Sequence, residues 1–142
     1  MLKKKSDQLS ALRNVALFSS MSDRDLKAVL AGCREEVYSD GQAIVREGTP
    51  GGPFFLIVEG QGKLMVNGKQ RKLFGPGDYF GEIAMIDKGP RTATIIAKGN
   101  VKALAISSWD FLALCEQDFN IAKKVMTGMA SVIRTLDKNA GT

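Results

Sequence analysis

Histidine is absent from this chain. Its absence removes Ser-His and Cys-His nucleophilic arrangements, zinc sites that need imidazole and the two-His-one-carboxylate iron site. Cysteine is nearly as scarce: Cys33 and Cys115 stand in unrelated parts of the chain, with no Cys-x-x-Cys spacing. A single disulfide is a poor framework for 142 residues, so both read as free thiols in a reducing cytoplasm. No apolar run approaches the ~18 residues needed to span a membrane. Lys3-Lys4-Lys5 resembles the start of a signal peptide, but Arg13 and Asn14 interrupt any apolar segment behind it. The expectation is a cytoplasmic chain with no transmembrane segment, no metal site and no catalytic residue.

What remains is ordinary globular material, 44% hydrophobic and 25% charged. One compact domain over residues 1–142 fits that length. The formal net charge of +5 suits an anionic ligand but is modest for a nucleic-acid binder, so no nucleic acid is expected. Three of those charges are the lysine run, read as a solvated tail.

Leu9, Leu12, Ala16 and Leu17 recur at helical spacing between Asp7 and Phe18. Ser22-Asp23-Arg24-Asp25 resembles a capping box opening a second helix to Ala31, with Leu26, Val29 and Leu30 on its apolar face. These N-terminal helices, within residues 1–32, are expected to form a lid or contact surface rather than core. Over residues 33–107 the pattern turns to β, with candidate strands Arg34–Tyr38, Gln42–Arg46, Phe54–Val58, Lys63–Val66, Gln70–Phe74, Arg91–Ala97 and Val101–Ile106. Glycines punctuate them, and Asn67-Gly68 predicts a type I′ hairpin turn. Many short strands with glycine turns imply a small barrel or sandwich.

Two C-terminal helices follow within residues 108–137. Ser107-Ser108-Trp109-Asp110 reads as the start of one, with Trp109 as its anchor, and Asp118 caps the other, Phe119 to Leu136. Phe119, Ala122, Met126, Met129, Ile133 and Leu136 alternate three and four apart, a coiled-coil-like seam. That face either packs on the barrel or meets a partner, a second copy or an effector. Lys138-Asn139-Ala140-Gly141-Thr142 reads as a frayed tail.

The stretch from Gly77 to Thr94 carries the chemistry. It reads as a tight turn, one apolar helical turn, a Gly-Pro turn and a β run. Gly81 and Ala84 leave the start of the helical turn free of bulk, so its N–H groups stay open to an anion. Arg91 follows Pro90, and a guanidinium grips a phosphate with two parallel bonds. Glu82 beside such groups makes sense if it accepts from a neighbouring sugar hydroxyl.

Phe80-Gly81-Glu82-Ile83-Ala84, the apolar pair Met85-Ile86 and Pro90-Arg91-Thr92-Ala93 closely resemble the phosphate-binding cassette of the cyclic nucleotide-binding domain family. Gly41, Ile44, Gly48, Phe55, Ile57 and Gly60 are similar in spacing to the first half of that family's barrel. The resemblance implies a mainly β fold with flanking helices, a small jelly-roll-like barrel with N-terminal helices and two C-terminal helices. It implies a non-catalytic regulatory module that binds a cyclic mononucleotide and signals by movement of its last helix. Arg91 would hold the cyclic phosphate with backbone amides near Gly81, Ile83 and Ala84, and Glu82 the ribose 2′-hydroxyl. The alternative for Arg91 and Glu82 is a surface salt bridge with each other.

In family members a hydroxyl after the arginine contacts the phosphate or a syn guanine. Strict β alternation points Thr92 away from the face of Arg91, Ala93 and Ile95, so that contact needs irregular backbone after Pro90. Otherwise Thr92 fills a strand. Cyclic AMP is favoured, with cyclic GMP retained. Leu64, Val66 and Leu73 are candidates for the base wall, and Val132 or Leu136 for a cap from the last helix. No output domain follows, so a stand-alone sensor and an excised domain both fit. The rival readings are an interaction or oligomerisation module with an unused pocket, and an enzyme on a similar barrel.

Overall fold

The computed structural model describes residues 1–139. Helix α1 (Lys5–Arg13) leads through a single 3-10 turn (Ala16–Phe18) to α2 (Asp23–Ala31). Strands β1 (Arg34–Tyr38), β2 (Ala43–Val45), β3 (Phe54–Val66), β4 (Lys69–Phe74) and β5 (Tyr79–Phe80) follow, then α3 (Glu82–Asp87) and β6 (Thr94–Ile106). Helices α4 (Ser108–Gln117) and α5 (Phe119–Asn139) end the described chain. All pairing is antiparallel, in the order β1-β6-β3-β4, with β2 added on β6 and β5 on β3. The fold is therefore mainly β with flanking helices, a barrel-like jelly roll whose sheet is not closed.

The two long strands organise it. Two expected strands on either side of Gly60 are one strand, β3, and the two expected around Gly99 are largely one strand, β6. Glycine there marks bends rather than turns. Gly60 has φ 86° and lies against the backbone of Asn100 and Val101, where a side chain has no room. The β3–β6 register shifts on either side of Glu59, and such bulges curve a strand without ending its ladder. Asn67 and Gly68 both have positive φ, as a type I′ turn requires.

Phe54-Phe55-Leu56-Ile57-Val58 is buried on both faces, which is why the segment lacks polar alternation. Phe55 and Ile57 face the barrel interior with Phe74, Phe80, Ile95 and Ala103. Phe54, Leu56 and Val58 face a second core with Leu12, Phe18, Leu26, Phe111 and Val125 from the helices. The N-terminal helices are therefore core and not a lid. The first helix also stops earlier than expected, because Val15 turns into extended backbone and buries its side chain. Trp109 is not an anchor: it is 79% exposed, and Phe111 fills the core beside it. Helix α5 continues through Asn139, so Lys138 and Asn139 are helical, and the rest of the expected frayed tail lies outside the described residues.

Helix α5 is fastened to the N-terminal region rather than laid along the barrel. A Cβ on Gly128 would fall 2.8 Å from Ala16 O and Leu17 Cα, so the helix backbone touches the 3-10 turn. Asp25 completes a capping box with Ser22, each residue's backbone N–H donating to the other's side chain. Lys124 Nζ of α5 donates to the same carboxylate at 2.5 Å. Among the described residues, Cys33 and Cys115 are free thiols, and burial pushes the Cys33 pKa up to about 12.

Two outcomes are expected. Val125, 5% exposed, faces the core, whereas Ile133 is 56% exposed. Val125→Asp should cost more than about 3 kcal/mol, and Ile133→Asp about 0.5 kcal/mol or less, in urea unfolding. The hydrogen bond from Lys124 holds the Asp25 carboxyl below its usual pKa, with the Ser22 bonds acting in the same direction. A depressed folded-state pKa gives stability that is full above about pH 4 and lost as pH falls through the folded value. Asp25→Asn should therefore lower stability by about 1–3 kcal/mol at pH 7 and flatten the acid limb of the thermal-stability profile.

Candidate functional site

Arg91 is placed by backbone before its side chain does anything. Its N–H donates to Thr49 O and its carbonyl accepts from Gly48 N–H, both at 2.8 Å, while Pro50 bridges Pro90. The loop before β3 thus grips the loop before β6. The guanidinium turns inward, where Arg91 is 9% exposed and Nη2 donates to Pro53 O at 2.7 Å. Burial lowers its pKa, but a guanidinium stays charged. The expected alternative, an ion pair with Glu82, is not formed, and Arg91 has no carboxylate partner among the described residues.

Gly81 faces that cation. Its φ of 86° is left-handed, and a Cβ would lie 2.5 Å from Arg91 Nη1 and 2.7 Å from Pro53 O. Only glycine meets both conditions. Helix α3 starts at the next residue without a side-chain cap, and its first intrahelical bond runs from Met85 N–H to Gly81 O. The N–H groups of Glu82, Ile83 and Ala84 therefore have no partner within the helix. Gly51 packs on Ala84 and Gly89 so closely that any side chain would collide, which holds α3 against the loop that grips Arg91.

These elements enclose a cavity of about 440 Å³, within the range of small-molecule sites. Gly81, Glu82, Ile83, Ala84, Arg91 and Thr92 all line it, with Leu64, Val45, Phe80 and Ile95 as apolar wall. Arg91, Thr92 and Ala93 precede β6 in irregular backbone, so strand alternation does not govern Thr92. Of the expected base wall, only Leu64 lines the cavity. Val66 and Leu73 lie outside its lining, Leu73 being exposed on β4. Val132 and Leu136 of α5 are likewise not in its lining, and Leu136 is exposed.

Val45, Gly51 and Pro53 were not singled out from sequence as site residues, and Phe80 only as the first residue of the cassette match. Ile95 had a signal, because it shares the two-residue alternation of Arg91 and Ala93. The contacts of Gly51 with Ala84 and of Pro53 with Arg91 exist only once distant segments meet. Among the described residues, no three Cys, Asp or Glu side chains gather to hold a metal ion. The arrangement can bind an anion at one end and a hydroxyl at Glu82, with an apolar group against the remaining wall.

The profile of the family described as "Cyclic nucleotide-binding domain" matches residues 35–118, more than half of the chain. A cAMP-dependent protein kinase regulatory subunit from Aspergillus niger is 36% identical over 106 residues, covering 72% of this chain and 26% of that protein. A cGMP-dependent protein kinase from Plasmodium berghei is 28% identical over 112 residues, covering 78% of this chain and 13% of that protein. The chain thus spans about a quarter or less of these two relatives. The N-terminal domain of a transcriptional regulator from Streptomyces coelicolor A3(2) superposes with a TM-score of 0.82 at 28% identity, covering 90% of this chain and 95% of that one. Thermus thermophilus Catabolite Activator Protein gives 0.69 at 27% identity, covering 89% and 62%. With the profile match spanning the barrel and the cassette, the chain belongs to the cyclic nucleotide-binding domain family.

Proposed function

We propose that this chain is a non-catalytic regulatory module of the cytoplasm that binds a cyclic purine mononucleotide. One observation carries the reading: a buried guanidinium with no carboxylate partner lines a cavity beside unbonded helix amides. A buried charge is costly unless paired, and a phosphate diester is a fitting partner. Arg91 holds the cyclic phosphate together with the amides around Gly81, Ile83 and Ala84. Glu82 accepts from the ribose 2′-hydroxyl, and Thr92 adds a hydroxyl at the phosphate or base. Leu64, with Val45 and Ile95, supports the apolar side of the ligand.

The switch in this reading is the last helix. Val132 and Leu136 lie off the cavity in the described arrangement, and closure over the base would bring them to it. The free energy for closure comes from tighter ligand binding in one conformation than in the other. Phe119, Met126, Ile133 and Leu136 are exposed along α5, which supports contact with a second copy or an effector through that helix.

Titration with cyclic AMP and cyclic GMP should raise the unfolding free energy as each passes its dissociation constant, by about 2.7 kcal/mol at a hundredfold excess, read as a rising thermal midpoint. Arg91→Ala should weaken calorimetric affinity by roughly two to three and a half decades, the scale of about 3–5 kcal/mol for an unpaired buried charge. Far-UV circular dichroism of the free variant should be unchanged. Unaltered affinity would sink the phosphate assignment, and hydrolysis of the nucleotide on long incubation would sink the non-catalytic one.

A further inference from the structure

Arg91 is shared between two cavities. Besides the one described above, it lines a cavity of about 370 Å³ among β1, β2 and the 46–53 loop. The two terminal nitrogens of its guanidinium divide between them. Nη1 lies against Gly81, which lines the first cavity, and Nη2 donates to the carbonyl of Pro53, which lines the second. Strand β1 ends the sheet, and Arg34, Glu36 and Tyr38, two apart on one face of it, line the second cavity. Ile44 and Phe55 of the barrel interior give that cavity an apolar surface.

The two cavities carry opposite formal charge. The first sets one cation, Arg91, against the carboxylates of Glu82 and Asp87, a formal −1. The second sets Arg34, Arg46 and Arg91 against Glu36 alone, a formal +2. Arg34 Nε bonds Glu36 Oε1 at 2.6 Å, which leaves Arg46 and Arg91 with no carboxylate among the described residues. A cyclic phosphate is a diester with one negative charge, whereas a phosphate monoester carries close to two at neutral pH. In the first cavity the extra charge of a monoester faces two carboxylates. In the second it meets Arg46, and paired guanidinium groups suit a phosphate dianion. Burial pushes the Tyr38 pKa up, so its phenol keeps a proton to donate there.

We propose that the second cavity binds a small phosphate monoester, and that its occupant weakens cyclic nucleotide binding through the shared Arg91. The coupling rests on the proposed nucleotide reading; the site itself does not. Its volume is within the range of small-molecule sites, with room for an organic group against Ile44 and Phe55. Arg91, 9% exposed, gains from any anion that supplies the charge partner burial has denied it. A monoester on the Pro53 side supplies that partner first, so a nucleotide arriving on the Gly81 side gains less. The linkage is reciprocal, and the nucleotide weakens the monoester by the same factor.

The test is calorimetric titration of the full chain with inorganic phosphate and phenyl phosphate at about pH 8, where both are mainly dianions. Ionic strength is matched throughout with potassium chloride. Wild type should bind both saturably, phenyl phosphate more tightly, and Arg46→Ala should weaken both roughly ten-fold or more, the scale of one charge-assisted hydrogen bond. Arg46 is exposed and does not line the nucleotide cavity, so this variant should fold and bind cyclic nucleotide as wild type does. Phenyl phosphate at saturation should lower wild-type affinity for cyclic AMP and cyclic GMP roughly five-fold or more, the low end of typical coupling. The same concentration should leave nucleotide binding by Arg46→Ala nearly unchanged. No saturable binding by wild type, or equal binding by Arg46→Ala, overturns the site. An equal fall in nucleotide affinity in both proteins places the phosphate in the nucleotide cavity and overturns it as well. Phosphate bound through Arg46 with nucleotide affinity unchanged overturns the coupling. If wild type binds neither cyclic nucleotide, the proposed function falls, and the phosphate titrations still decide the site.

Discussion

The structure depends on keeping one positive charge buried without a protein anion. Elsewhere the described ion pairs match cation to carboxylate, as Lys124 does with Asp25 and Lys102 with Glu35. Arg91 is given instead a single carbonyl, Pro53 O, and a wall of glycine backbone. Desolvation disfavours that arrangement, and the direction of its pKa shift records the penalty. The arrangement persists because four separate segments over-determine it: the 46–53 loop, the Gly-Pro turn, Gly81 and the start of β6. An anion bound there would relieve a penalty already paid by folding, which is how preorganisation becomes affinity.

That requirement explains which parts of the molecule were legible in the sequence. The cassette is contiguous, and its constraints are local: Gly81 for a left-handed turn, Pro90 for the approach and Arg91 for the charge. Each leaves a residue-type signature, so all six expected ligand contacts line one cavity. The type I′ turn and the capping box at Ser22 were legible for the same reason. The base wall was not. Leu64, Val66 and Leu73 share one kind of pattern, and the pairing that sets Leu73 opposite Lys63 rather than Leu64 is not visible in the sequence.

Three misreadings have the same origin. Gly60 and Gly99 are turn residues by local criteria, yet they sit inside long strands because the β3–β6 ladder re-forms beyond each bend. Helices α1 and α2 looked too short to be core when taken alone. Their buried residues acquire value because β3 presents Phe54, Leu56 and Val58 on its outer face, a need visible only when both faces of that strand are counted. Trp109 inverts the usual expectation in the same way: a large aromatic at a helix start is left exposed, and its neighbour Phe111 is buried.

Helix α3 lies between the cavity and the helix-side core, and this bears on how binding at the site would be felt elsewhere. Met85 is fully buried, and it belongs to the helix-side core with Phe54, Phe111, Ile121 and Val125, not to the barrel interior. On its other side the same short helix lines the cavity with Ile83 and Ala84. A close-packed core does not absorb small displacements locally. A movement of α3 towards an anion would therefore have to be accommodated in the core that Met85 shares with Phe111 of α4 and with Ile121 and Val125 of α5. On the far side of that core, α5 is fastened to α2 and the 3-10 turn by Lys124–Asp25 and by the close seat of Gly128. The cavity-lining residues of α3 and the helix fastenings thus lie on opposite sides of one packed cluster. In the proposed reading, a shift of α3 that disturbs this shared core would favour whichever position of α5 restores its packing.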